Sequence, residues 1–212
     1  MAEDEGLRAR KRRETRKMIS DVATGLFVAR GFDAVTVAEV AAAANVSKMT
    51  VFNYFPRKED LFFDRQEEGI ALLRQAFRER RKGASPVAVL RALARSLVES
   101  DHAFARMNAG VAGFWHMVEV SPALRARLRE MGEEAEAVLV EELTGQVGAP
   151  REDPIARLLA AQVVAAIRVA YSEGLRQIAT GEAPEVARAA VVELFERGLT
   201  MMSASARGTP YA

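Results

Sequence analysis

The sequence predicts an all-α protein: an N-terminal three-helix helix-turn-helix domain joined to a larger C-terminal helical domain, about nine helices in all. Three observations predict it. Ala, Leu, Arg and Glu recur with a helical period, and no alternating apolar–polar run bounded by turn residues reads as a strand. Helix starts are written as a capping residue followed by proline, at Ser85-Pro86, Ser121-Pro122 and Asp153-Pro154, with Pro184 as a fourth. Two short helical segments are separated only by Asn45-Val46-Ser47, the spacing of a helix-turn-helix.

Taken in order, these signals predict helices over roughly 8–30, 37–44, 48–55, 58–81, 86–100, 103–119, 122–145, 154–180 and 184–203. The first helix buries Ile19, Val22, Ala23, Leu26 and Phe27 along one face, and Arg30-Gly31-Phe32 ends it with a left-handed glycine cap. Thr36 and Glu39 form a capping box for the second helix, whose buried residues Val37, Val40, Ala41 and Ala44 are small enough to admit a close neighbour. Asn45 tolerates the positive φ that the corner needs, Val46 plugs the angle, and Ser47 caps the third helix. Residues 58–81 form one long helix in this reading, and residues 1–7 and 204–212 are frayed ends. The domain boundaries expected are 1–57, 58–203 and a tail over 204–212.

On a wheel at 100° per residue, Val51, Phe52 and Phe55 fall within an arc of about 100°, a buried stripe for the third helix. Met49, Thr50, Asn53 and Tyr54 face the other way, with Lys48 at the helix start. That outer face suits a DNA major groove. Asn53 can pair with adenine, Met49 can pack on a thymine methyl, and Lys48 can reach guanine or phosphate. Thr50 and Tyr54 can donate to phosphate oxygens, and Lys58 adds charge. The charge distribution agrees: residues 8–58 carry eleven Lys/Arg against four Asp/Glu, although the whole chain of 212 residues is only +1. A basic end on a near-neutral body points to a polyanion partner.

The pattern Thr36-Val37-x-x-Val40-Ala41-x-x-Ala44-Asn45-Val46-Ser47-Lys48-x-Thr50-Val51-Phe52-x-Tyr54-Phe55-Pro56-x-Lys58-Glu59-x-Leu61 resembles the DNA-binding signature of the TetR family of bacterial transcription regulators. With the first helix, the resemblance covers about fifty residues. It implies a ligand-responsive repressor, a homodimer whose recognition helices enter successive major grooves, roughly 34–36 Å apart. It also implies DNA contacts at Lys48, Thr50, Tyr54 and Lys58; with the outward Met49 and Asn53, and Thr36 at the head of the second helix, these make up the candidate DNA-binding set. Two positions depart from the common pattern: Asn45 stands where glycine is frequent, and Met49 where a small residue is frequent.

The resemblance places effector binding and dimerisation in the C-terminal helices. Phe104, Asn108, Trp115 and His116 lie along the sixth helix, with Gln162, Arg168 and Tyr171 on the eighth, and together they are the candidate pocket for a small, largely apolar effector. Gly110 and Gly113 weaken the sixth helix by roughly 1 kcal/mol each, which suggests close approach by another group. Residues 158–167, LLAAQVVAAI, carry no charge and call for burial on every side. Ala161, Val164, Ala165, Val191 and Phe195 are therefore the expected subunit contacts.

Other function classes find little support. There is no cysteine, hence no disulfide or thiolate metal site, and the charged N-terminus lacks the apolar core of a signal peptide. Glu99-x-x-His102 matches a di-iron ligand pair, but no second copy accompanies it. No nucleophile elbow, phosphate loop or zinc motif occurs, so neither cofactor nor catalysis is expected. The expected setting is the cytoplasm, away from membranes.

Overall fold

The computed structural model describes residues 2–212, with side chains at position 6 and from 8 onward. Among the described residues there are ten α-helices and no strand. They are α1 (Ala2–Arg30), α2 (Val37–Ala43), α3 (Lys48–Tyr54), α4 (Lys58–Phe62), α5 (Gln66–Arg78), α6 (Pro86–Glu99), α7 (Ala109–Val120), α8 (Pro122–Val147), α9 (Pro154–Ala179) and α10 (Pro184–Ala206). A short 3₁₀ turn, Ala103–Ala105, precedes α7. The capping signals work as written. Ser85 accepts from the Ala88 amide, Asp153 from Ile155 and Ala156, and proline opens α6, α8, α9 and α10.

Two expected helices are broken, for different reasons. The stretch 58–81 is not continuous: α4 stops at Phe62, and α5 starts at Gln66. Leu61, Phe62 and Phe63 are all buried, and three consecutive residues sweep about 200° of a helix, more than one packed face can cover. Breaking the helix buries all three. Asp64 then uses its carboxylate for the Ser20 hydroxyl and its carbonyl for Arg16, 3.2 Å away. The helix expected from 103 instead starts at Ala109, because the Asn108 side chain accepts from the Val111 amide at 3.0 Å and caps it.

The chain forms two compact units. The first runs up to Gln66 and takes in Met117–Arg127. Its core is aromatic: Phe27, Phe32 and Phe62 meet with centroids 5.1–6.0 Å apart, and Ile19, Ala23, Val40, Val51 and Phe55 are buried with them. The 117–127 segment is bonded into this unit. Ser121 donates to Asp33 at 2.9 Å, and the buried Arg127 reaches Asp60 at 2.9 Å and Gln66 at 2.7 Å.

The second unit comprises Glu67–His116 and Leu128–Ala212. Its core holds Phe77, Leu90, Leu139, Leu143, Leu159, Val163, Leu199 and Met202. The tail expected to fray does not. Tyr211 is buried in this core, where desolvation and the neighbouring Asp153 carboxylate push its phenol up to about 12.

Helices α9 and α10 pack antiparallel, with Gly174 opposite Val191, Ala166 opposite Gly198 and Gln162 opposite Ser205. A Cβ at Gly198 would fall deep inside the Ala166 methyl, so the two backbones are closer there than any other residue permits. Gly198→Ala should therefore force the helices apart and cost about 1–3 kcal/mol, read as a lower denaturation midpoint in urea. An unchanged midpoint would remove the close-approach argument.

Candidate nucleic-acid interface

Local chemistry builds the two short helices at the centre of the first unit. Thr36 and Glu39 close the capping box on α2: the Thr36 amide donates to the Glu39 carboxylate at 2.8 Å, and the Glu39 amide donates back to the hydroxyl at 3.2 Å. Those bonds, with the Arg30 guanidinium 2.7 Å away, hold the Glu39 carboxyl down at about 2. Asn45 makes the corner at φ 52°, and the Ser47 hydroxyl accepts from the Thr50 amide at 2.9 Å to start α3. Val51 and Phe55 anchor α3 from below, both almost fully buried.

The outer face of α3 carries Lys48, Met49 and Asn53, all exposed, with Met49 at 69%. Phe52 was expected on the buried stripe, yet it is 40% exposed and joins this face. With Val51 already filling the interface, the edge position of the stripe is left outside. Thr50 is half-buried, its hydroxyl 2.8 Å from that of Ser47, and Tyr54 is half-buried too. Thr36 is exposed at the head of α2.

Lys58, the expected phosphate contact, is half-buried. Its ammonium bonds the Phe32 carbonyl at 2.6 Å and sits 4.1 Å from the Phe32 ring centroid. Desolvation pulls its pKa below the ordinary lysine range, against the carboxylates of Asp33, Glu59 and Glu39. Lys58 thus ties the start of α4 to the end of α1. Arg16, which the sequence reading passed over, does the same for α3: its guanidinium donates to the Tyr54 carbonyl at 2.7 Å and lies 4.3 Å from the Phe55 ring centroid. No sequence signal marks either tie, because each depends on a partner 26 or 38 residues away.

The seven candidate effector contacts do not converge. Trp115 and Tyr171 meet, with ring centroids 6.1 Å apart, and burial pushes the Tyr171 phenol up to about 12. Phe104 packs instead on His102, at 5.0 Å. Asn108 is an exposed helix cap, and His116 and Arg168 are exposed as well. Gln162 donates to Ser205 on α10. His102 itself faces Glu68 at 3.2 Å, not Glu99. Of the expected subunit contacts, Val164 and Phe195 pack against the core of their own chain, and Val191 fills the notch at Gly174. Ala161 and Ala165 are half-buried. Helix α9 is long and apolar enough to cross a bilayer by length and composition, yet Leu159, Ala160, Val163 and Ala170 are buried in the second unit.

A short capped helix standing proud of an aromatic core, with cationic and amide side chains outward, defines a helix-turn-helix DNA-binding protein. Residues 19–64 match the family described as bacterial regulatory proteins, tetR family. The HTH-type transcriptional regulator TcmR of Streptomyces glaucescens is 29% identical over 157 residues, covering 70% of this chain and 67% of that protein. Thermus thermophilus FadR, a TetR-family transcriptional repressor solved with lauroyl-CoA, shares 25% identity at a TM-score of 0.52, over 89% of this chain and 93% of that one. A TetR-family protein from Mesorhizobium loti shares the fold at 17% identity and a TM-score of 0.52, over 91% and 96% of the two chains. Residues 19–64 thus carry the DNA-binding domain of that family, and the chain is similar over most of its length to transcriptional regulators.

The inward Lys58 gives a direct test. Lys58→Ala should lower unfolding stability by about 1.5–3 kcal/mol, the worth of a hydrogen bond to a charged group, whereas Lys48→Ala should leave the thermal midpoint unchanged. Equal midpoints for the two variants would return Lys58 to the surface.

Proposed function

We propose that the protein is a homodimeric repressor that leaves a palindromic operator when a small, largely apolar effector binds. The observation that carries the reading is the outer face of α3, where Lys48, Met49 and Asn53 stand exposed on a helix anchored through Val51 and Phe55. Asn53 reads a base edge, Met49 and Phe52 meet thymine methyls, and Lys48 reaches guanine or phosphate. Residues 1–57 act as the DNA-binding part and 58–203 as the effector-binding and dimerisation part, in the cytoplasm.

The aromatic pair Trp115–Tyr171 supports an apolar effector, and the lauroyl-CoA held by FadR supports an acyl chain as its class. For the dimer, Leu158, Ala161, Ala165 and Val169 recur at helical spacing along α9, the two end residues exposed at 54% and 50%. A second copy of the chain would cover that stripe. Effector shifts the population toward dimers whose recognition helices no longer fit successive grooves, so operator must weaken effector binding by the same factor.

Selection of bound duplexes from a random pool, with and without lauroyl-CoA, tests the reading. It should recover an inverted repeat with half-sites one helical turn apart, lost when the effector is added. Recovery of no repeat would overturn it in favour of a helical binding protein without DNA function. Asn53→Ala should relax the preference at one position of each half-site, a loss of roughly 1–3 kcal/mol in the binding titration.

A further inference from the structure

The recognition helix leaves one strongly charged surface of the first unit unused. α1 begins at Ala2, and among the described side chains the first that is buried is Ile19. Residues 8–14, RARKRRE, are exposed at every position, and Thr15 and Arg16 are the first to be half-buried. This part of α1 projects from the domain as a helix with solvent on all sides. Five of the six residues from 8 to 13 are Arg or Lys. At 100° per residue they surround the helix axis, so whichever face meets a surface presents cations. Lys11, Arg12 and Arg13 bear no ion pair among the described residues, while Arg10 has Glu14 at 3.6 Å.

The projection starts beside the DNA-facing helix. Arg16 is the anchor: it bonds the last carbonyl of α3, that of Tyr54, and lies over Phe55. From Arg16 back to Arg8 the helix extends about 12 Å beyond that anchor. Ala9 is the only apolar residue among 8–14, so the segment has no hydrophobic anchor with which to dock on a protein or insert into a bilayer. What it offers is charge, and the matching partner is a phosphate backbone.

We propose that residues 8–14 of α1 form a second DNA contact, gripping the phosphates that flank the half-site read by α3. The proposal rests on the reading of α3 as the DNA-facing helix. It assigns Lys11, Arg12 and Arg13 to affinity and register rather than to base choice, because a helix laid along the backbone touches no base edge.

The test uses the full chain with Lys11→Ala, Arg12→Ala and Arg13→Ala combined, titrated by fluorescence anisotropy against a mixed-sequence duplex of about 40 base pairs over a range of salt. Three consecutive residues span about 200° of the helix, so one or two phosphate contacts are lost, which should lower the slope of log affinity against log salt by about 0.9–1.8 per subunit and weaken binding at low salt. The thermal midpoint should not move, since these side chains pack on nothing. The combined Lys11→Arg, Arg12→Lys and Arg13→Lys variant should keep the wild-type slope. An unchanged slope in the alanine variant overturns the proposal. Asn53→Ala separates this failure from that of the underlying reading: it should keep the salt slope and lose only sequence preference. If Asn53→Ala leaves sequence preference intact, the reading of α3 falls, and the flanking contact falls with it.

Discussion

The first unit hangs on the carboxylate of Asp60. One oxygen accepts from the Arg57 amide at 3.1 Å and so starts α4; the other accepts from Arg127 at 2.9 Å. Arg127 is buried and also donates to Gln66, so its charge is matched and its fork of donors is used. A buried pair is expensive to desolvate and far more expensive to leave half-made, which makes such a contact specific rather than merely stabilising. Here it selects where Met117–Arg127 sits: 67 residues from Asp60 in the chain, yet part of the same compact unit as the helix-turn-helix. Ser121, capping α8 and donating to Asp33, adds a second such tie nearly two turns earlier.

Around that point the unit is assembled by cations that turn inward. Lys58 closes on the Phe32 carbonyl and ring, and Arg16 on the Tyr54 carbonyl and the Phe55 ring. Each covers an aromatic face and donates to a carbonyl at a helix or turn end. The division of labour among the basic residues follows. Lys58 and Arg16 hold the fold, while Lys48 on α3 and Lys11, Arg12 and Arg13 on the projecting turns of α1 stay exposed. Net charge alone cannot make that distinction.

The second unit relies on backbone proximity. α9 and α10 meet through Gly174 and Gly198, and the apolar run LLAAQVVAAI is only partly consumed by that contact. Leu159, Ala160 and Val163 are buried, while Leu158 and Ile167 stay exposed. An apolar strip of α9 is therefore left facing solvent.

Whatever local chemistry controls is legible along the chain. Helix starts at Ser47, Ser85, Ser121 and Asp153, the corner at Asn45, the Thr36–Glu39 box and the anchors Val51 and Phe55 were all legible, because each depends on residues within one turn. The family signature was legible for the same reason, being a run of such local requirements. Tertiary structure decided everything that needs a distant partner. It turned Lys58 inward and left Phe52 outside. It broke the helix after Phe62 so that three neighbours could be buried, and it drew the tail residue Tyr211 into a core. It also converted Asn108 from a polar intruder in an apolar stripe into the cap of α7, since the preceding turn stops short of it. The physical reason is common to these cases. A hydrogen bond between near neighbours costs little chain entropy and can be read from spacing, whereas a contact across tens of residues exists only once the whole unit has folded around it.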